Sequence, residues 1–104
     1  MSHTLRLHRP HDLGLEGARA IARRWISEAE SVFGLRCRSE PGVAGDRVHF
    51  ERPGVRGTLQ VAADGFTLDA QLGFLLAGFA PRIEAEIGRN LDALLGAARQ
   101  GDAM

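Results

Sequence analysis

The fold is decided by the stretch from Val55 to Leu72, which reads VRGTLQVAADGFTLDAQL. Apolar and polar residues alternate on both sides of Asp64-Gly65, and such alternation is typical of a strand with one buried face. An Asp-Gly pair between two alternating runs is a strong hairpin signal, because both central positions of a type I′ turn need positive φ. The stretch therefore predicts a β-hairpin with a type I′ turn at Asp64-Gly65.

Three earlier segments alternate in the same way: residues 4–9, residues 35–38 and residues 47–51. Each places its apolar side chains on one face and its Arg and His side chains on the other. Pro53-Gly54 separates the third segment from the hairpin and suits the central positions of a type II turn. We therefore predict five strands.

Two segments have apolar residues at helical spacing instead. The first runs from about Leu13 to Phe33, with Asp12 as the expected N-cap and Gly34 as the expected C-cap. The second begins near residues 79–81. The predicted buried stripes are Leu15, Ala18, Ala22, Trp25, Ala29 and Val32 in the first helix, and Phe79, Ile83, Ile87, Leu91 and Leu94 in the second.

The element order β-α-β-β-β-β-α predicts an α+β fold. We expect a curved, mainly antiparallel sheet with two helices packed on one face, because each strand is apolar on one parity only. A chain of 104 residues has the size of one domain. We predict a single domain over residues 1–104, in which residues 101–104 form a frayed tail.

The charges exclude some chemistries. All 13 basic residues are Arg and none is Lys, so the chain has neither a Schiff-base lysine nor a phosphate-binding P-loop lysine. The 13 acidic residues balance them. We do not expect a nucleic-acid partner, because such proteins usually carry an excess of positive charge. Zero net charge eases self-association and is compatible with a homo-oligomer.

Localisation is predicted from three observations. Residues 1–9 contain Arg6, His8 and Arg9 but no apolar segment of the secretory type. Cys37 is the only cysteine, so it cannot form an intramolecular disulfide. The longest apolar stretch, residues 72–80, is shorter than the ~20 residues that span a bilayer. We expect a cytoplasmic protein without a membrane span.

Catalytic motifs are absent from the sequence. It contains no Gly-x-Ser-x-Gly, its glycine-rich segments match no phosphate-binding fingerprint, and Cys37 has the parity of a buried residue. His8, His49 and Glu51 share the polar sheet face, but they could hold a metal only if their strands were adjacent. Solvated histidines are the ordinary explanation. We expect no catalytic residue, metal or cofactor, and hence a protein that is not an enzyme.

The polar sheet face is a candidate site for anions or RNA. It carries His8, Arg38, Arg47, His49, Glu51 and Arg56. RNA-binding sheets stack bases on exposed aromatic side chains, whereas the aromatic residues here have core-facing positions. We therefore expect charge pairing between strands on a solvated face.

The segment from Leu72 to Ala80, LGFLLAGFA, connects the last strand to the last helix without a polar side chain. We favour a buried connection in which Phe74 and Leu76 close one end of the core. The alternative is an exposed surface that docks onto an apolar partner. The candidate residues for that surface are Phe74, Leu75, Leu76 and Phe79.

Several stretches in order along the chain resemble one known family. They are Arg9–Gly14, Ala18-Arg19, Phe50–Gly57, Leu72–Leu76, Ile83–Ile87 and Leu91-Asp92. On these residues the chain resembles the polyhydroxyalkanoic acid system proteins, small bacterial proteins encoded near the genes for polyester-granule synthesis. The resemblance implies a role in polyhydroxyalkanoate storage and assigns no catalytic residue.

Three hypotheses about function remain open. In the first, the chain is a non-enzymatic accessory protein that binds the polyhydroxyalkanoate granule surface or a granule protein. In the second, it carries a small apolar ligand, such as an acyl chain, in a pocket between the sheet and the C-terminal helix. In the third, the Arg-bearing sheet face binds RNA or the ribosome. Homo-oligomerisation is compatible with each of them.

Overall fold

The computed structural model describes residues 3–102, with side chains described for residues 3–97. The elements are β1 (His3–Pro10), α1 (Gly14–Val32), β2 (Arg36–Glu40), β3 (Gly45–Arg52), β4 (Val55–Ala62), β5 (Gly65–Leu72), α2 (Phe74–Ala77) and α3 (Ala80–Asp102). The α+β class and the element order are confirmed, and the short helix α2 is an addition. Because α3 continues to Asp102 and residues 103–104 lie outside the described residues, fraying of residues 101–104 stays a prediction.

The five strands form one open antiparallel sheet in the order β1-β5-β4-β3-β2. Strands β2 to β5 follow one another as a meander, and β1 is added beside β5. Helix α1 therefore carries the chain from one edge of the sheet to the other. Both edges, β1 and β2, have unpaired backbone groups, and such edges are where another chain can add. Homo-oligomerisation stays a prediction.

The core lies between one sheet face and the two long helices. Helix α1 packs on β4 and β2, α3 packs on β1, and the two helices contact each other. The Trp25 ring meets the Phe50 ring edge-on, with centroids 5.4 Å apart. The largest fully buried side chains are Phe66, Leu59, Leu68, Leu72, Leu91, Val48 and Val61. Burial of a side chain of this size stabilises the fold by roughly 1.5–3 kcal/mol.

The β4–β5 hairpin forms, but its predicted turn is wrong in position and type. Ala62 pairs with Gly65, so the two loop residues are Ala63 and Asp64. Among residues 3–102 positive φ occurs only at four other glycines, which excludes a type I′ turn. Gly65 serves a different purpose, because a Cβ there would lie 3.0 Å from Cε1 of His8 on β1. The glycine leaves room for the His8 ring.

The predicted turn between β3 and β4 is confirmed. Arg52 pairs with Val55, which leaves Pro53 and Gly54 as the loop. Gly54 has φ +86°, the value that the second central position of a type II turn requires.

The prediction for α1 is confirmed at its C-terminus and wrong at its N-terminus. Gly34 has φ +67° directly after the helix, as expected for a C-cap glycine. At the N-terminus the N-cap is Leu13, without a side-chain cap bond, so the Asp12 prediction is wrong. Instead the Leu13 N–H donates to Nδ1 of the buried His11 at 3.1 Å. This bond orders the chain just before the helix and does not replace a cap bond, which would accept from an N–H of the first helical turn.

The predicted apolar stripes are correct in the middle of the helices and wrong at one end of each. Ala18, Ala22 and Ala29 are buried in α1, but Val32 is 69% exposed. In α3, Leu91 and Leu94 are buried, whereas Phe79 lies before the helix and is exposed. The helical period continues to Val32 and Phe79, but the sheet and the partner helix do not cover them. Both errors fall at the same end of the sheet.

Candidate functional site

Apolar side chains gather at one end of the sheet, which we call the apolar end. It consists of the Pro53-Gly54 turn, α2 and the last turn of α1. The Gly73 N–H donates to the Gly54 carbonyl at 2.9 Å. The Leu76 side chain packs beside Gly54, so that a Cβ added at Gly54 would lie 3.0 Å from Cδ1 of Leu76. Helix α2 is therefore held against the β3–β4 turn.

The connection between β5 and α3 is exposed, so the expectation of a buried connection is wrong. Phe74 is 71%, Leu75 76% and Phe79 55% exposed, and Leu76 is half-buried. A helical turn points successive side chains about 100° apart, so α2 cannot turn all of its apolar residues inward. We call Phe74, Leu75 and Phe79 the α2 patch.

A pocket of about 370 Å³ opens beside the α2 patch. It lies between β3 and β4, the last turns of α1 and the first turns of α3. The apolar lining consists of Trp25, Ala29, Phe33, Leu35, Phe50, Val55, Leu76, Ile83 and Ile87. Leu76 belongs to α2, so the pocket and the patch share one short helix. The volume lies in the range of sites for small molecules.

The polar side chains that line this pocket come from β3 and α3, and we call the part that they line its mouth. Arg52 ends β3, and its Nη1 donates to the Phe33 carbonyl at 2.7 Å. Arg82 lies in the first turn of α3, and Asn90 donates to a carboxylate oxygen of Glu28 on α1. Glu86 of the lining accepts from Nη2 of Arg89. The mouth therefore has the guanidinium groups of Arg52 and Arg82, and the Glu86 carboxylate there is hydrogen-bonded to Arg89.

The outer sheet face brings together four of the six polar residues predicted for it. Arg38, His49, Glu51 and Arg56 line one open depression. His8 instead lies on β1 with Nδ1 3.0 Å from the Thr67 hydroxyl, and Arg47 lines a different depression near the far end of β3. The predicted set is therefore not a single cluster.

Side-chain pairs between neighbouring strands stabilise this face. His49 Nε2 lies 2.7 Å from a Glu40 carboxylate oxygen, and Arg6 donates to Asp69 at 2.8 Å. The hydrogen bond from His49 lowers the pKa of Glu40, with smaller help from nearby arginines. The aromatic residues of the strands, Phe50 and Phe66, are buried on the other face. The RNA hypothesis therefore gains no stacking platform in the described strands.

The three candidate metal ligands do not meet. His8 is on β1 and His49 on β3, and two strands lie between them. At the usual strand spacing this separates them by about 14 Å. Within residues 3–102 no group of three His, Cys, Asp or Glu side chains is close enough to hold an ion.

Cys37 is half-buried on the helix face. Burial raises the pKa of its thiol, and the nearby Glu30 carboxylate raises it further. Both effects disfavour the thiolate, which is the reactive form. Cys37 therefore packs against the core, and its surroundings do not activate the thiol as a nucleophile.

The opposite end of the sheet, which we call the polar end, contains the start of α1, the loop of residues 41–44 and the β4–β5 hairpin. Arg19 donates Nε and Nη2 to the Asp46 carboxylate at 3.0–3.2 Å, and Nη2 also donates to the Gly42 carbonyl at 2.8 Å. The bonds from Arg19 to the carboxylate lower the pKa of Asp46, burial opposes them, and a hydrogen bond from the Gly42 N–H lowers the pKa further. This end is tied by polar contacts.

Sequence reasoning missed Phe33, Arg52 and Arg82 as members of a site. Phe33 directly follows α1, Arg52 ends β3 and Arg82 lies in α3, and only the packed fold brings them to one pocket. The available signal was local: Arg82 directly precedes Ile83 of the predicted stripe, and Arg52 directly precedes the Pro53-Gly54 turn.

These observations define a class: an α+β protein with an open antiparallel sheet, whose helix side has an apolar pocket beside an exposed apolar helical turn. The chain belongs to the polyhydroxyalkanoic acid system protein family, because the family model described as "Putative polyhydroxyalkanoic acid system protein" matches residues 5–95. The matched range contains the whole pocket and the α2 patch. No curated protein and no solved structure matches the chain. In the described part of the chain, no helix has the length and apolar character of a membrane span.

Proposed function

We propose that this protein is a non-enzymatic accessory protein of the polyhydroxyalkanoate storage system that binds the surface of the polyester granule through the α2 patch. The observation that carries the proposal is the exposure of Phe74, Leu75 and Phe79, three large apolar side chains within six residues. The family supplies the context of polyester storage. We also propose that the protein acts in the cytoplasm.

The physical case rests on the chemistry of the two surfaces. A polyester surface presents alkyl groups and ester carbonyls and has no charge of its own. The α2 patch is likewise uncharged. Complete burial of a fully exposed side chain of this size contributes roughly 1.5–3 kcal/mol. The three side chains are 55–76% exposed, so each contributes part of that value, before the cost of immobilising the protein. A clustered set of this kind marks interaction surfaces, whereas single exposed apolar residues are common on any protein.

The test is co-sedimentation with polyester particles that have been stripped of protein. We expect the wild type to sediment with them and Phe74→Asp/Leu75→Asp to remain in solution. The matched control is Val43→Asp, because Val43 is fully exposed at the polar end, about 23 Å away along β3. Leu76 is left unchanged in these variants so that the pocket is preserved.

Native granules with their protein coat provide the second arm of this test. Wild-type protein that sediments with coated granules but not with stripped particles would show that the partner is a granule protein, and would contradict binding to the polymer itself. Equal loss of binding in the Val43→Asp control would also contradict it, since it would show that the added charge acts regardless of position.

The pocket favours a second candidate function, that of a carrier for a small apolar ligand. Its wall is formed by side chains from the sheet and both long helices, and Trp25 is among them. Trp25 is the only tryptophan of the chain and therefore reports occupancy of the pocket by its fluorescence. We expect decanol to change this fluorescence in the wild type and not in Ile83→Trp/Trp25→Phe, in which the new indole fills the pocket.

A further inference from the structure

We infer that the pocket binds a linear acyl chain that ends in a carboxylate, with the chain against Trp25, Phe50 and Ile87 and the carboxylate between Arg52 and Arg82. This inference rests on the carrier function proposed above and adds the chemical class of the ligand. It is independent of whether the α2 patch binds a granule.

The wall of the pocket specifies the tail. Its members from the sheet are Phe50 and Val55, and those from the helices are Trp25, Ile83 and Ile87. None of these side chains offers a carboxylate, amide or hydroxyl to a ligand. An unbranched hydrocarbon chain needs no hydrogen bond, so it loses nothing there. Each methylene that enters should tighten binding about fourfold, until the pocket is full.

The mouth specifies the head group. Arg52 and Arg82 approach it from different elements, β3 and α3. The bond from Arg52 Nη1 to the Phe33 carbonyl fixes this guanidinium and leaves its other N–H groups free to donate. A guanidinium offers a planar fork of donors that matches the two oxygens of a carboxylate.

The acidic groups near the mouth do not cancel this preference. Glu86 lines the pocket, but one of its oxygens is bonded to Arg89. Glu28 is bonded to Asn90, which ties α1 to α3 beside the pocket. Three arginines, Arg52, Arg82 and Arg89, therefore stand against two carboxylates, those of Glu86 and Glu28, and the remaining positive charge favours an anion over a neutral or cationic head group.

The experiment compares decanoate with decanol, each below the concentration at which it aggregates, by titration against Trp25 fluorescence. The two ligands share the tail and differ in the head group. We expect decanoate to bind about fivefold more tightly than decanol, which is the size of a solvent-accessible charge pair. A series from hexanoate to dodecanoate should show rising affinity and then a plateau.

Two variants assign the preference to the mouth. Arg82→Gln, and separately Arg52→Gln/Arg82→Gln, should bind decanol as the wild type does and lose the preference for decanoate. The single variant keeps the Arg52–Phe33 bond, so it tests the head group even if the double variant is less stable. Arg38→Gln/Arg47→Gln removes the same charge from the outer face and should keep the preference.

The outcomes separate this inference from the function on which it rests. If decanol and decanoate bind equally, or if Arg82→Gln retains the full preference, the carboxylate assignment is wrong while the carrier function stands. If neither ligand changes Trp25 fluorescence, the pocket is not a carrier site, and the inference about the carboxylate is wrong as well.

Discussion

The polar end and the apolar end of the sheet hold their connecting segments in place by different interactions. At the polar end, the entry into α1 is fixed by His11, whose ring also packs on Phe66 with centroids 4.8 Å apart. The nearby loop is fixed by the bidentate Arg19–Asp46 pair. At the apolar end, α2 is held by backbone bonds and by Leu76, and its remaining large side chains face solvent.

The two ends differ in how much clustered apolar surface they leave exposed for a binding partner. Val43 is fully exposed at the polar end, but it is isolated in a loop. The α2 patch has three exposed apolar side chains within six residues, and the exposed Val32, which ends α1, and Phe33, which follows it, lie at the same end of the sheet. Apolar area that the fold leaves in water is available to an apolar partner. We therefore assign stability to the polar end and binding to the apolar end.

The largest effect should come from comparing one phenylalanine at each end. Phe66→Ala removes a side chain that is 1% exposed and packed on His11, and it should destabilise the protein by about 3–5 kcal/mol. Phe74→Ala should change stability by less than about 0.5 kcal/mol, because Phe74 is mostly solvated. Urea unfolding followed by Trp25 fluorescence measures both. Similar losses for the two variants would break the comparison.

An intermediate effect is expected at the turn that supports α2. Gly54→Ala places a side chain at φ +86° and pushes its Cβ against Leu76. We expect a loss of about 1–2 kcal/mol from backbone strain, and weaker decanol binding because Leu76 must move. Pro53→Ala, at the neighbouring position without positive φ, is the control and should leave the decanol affinity unchanged. A fully stable Gly54→Ala variant would contradict this account of the turn.

A smaller effect is expected for Asp46 at the polar end, and it depends on pH. Its pKa is lowered in the folded protein, chiefly by the hydrogen bonds from Arg19, so the ionised form stabilises the fold. This contribution is complete above the ordinary Asp pKa and is lost as the pH falls through the lower, folded value. Asp46→Asn should cost about 1 kcal/mol at neutral pH and flatten the stability profile below about pH 4. An unchanged profile would show that the pair contributes nothing.

The sheet was predictable because β1, β3, β4 and β5 each bury mainly one parity, and β2, which is mostly exposed, still turns its half-buried Cys37 to the same face. Val48 and Phe50 against Arg47 and His49 are a clear example. The β4–β5 turn was not, since Gly65 leaves room for the side chain of His8, on a strand far away in the sequence, and does not provide a positive φ. A local pattern cannot report a contact between distant segments.

The candidate site was predictable only in part, for a related reason. The apolar composition of residues 72–80 indicated an unusual connection, but the sequence could not decide between burial and exposure. That choice depends on whether α1 and α3 extend over α2, which periodicity alone does not specify. The pocket was anticipated between the sheet and the C-terminal helix, whereas Arg52 and Arg82 at its mouth become neighbours only through tertiary packing.

The central claim, that the apolar end is the binding surface, is tested most directly by the salt dependence of sedimentation with stripped polyester particles. Apolar contact predicts that the bound fraction of wild-type protein is maintained or rises in high salt, and that Phe74→Asp/Leu75→Asp stays unbound throughout. A bound fraction that falls steeply with salt and is unaffected by the two substitutions would contradict the claim. It would show that charged side chains, and not the α2 patch, make the contact.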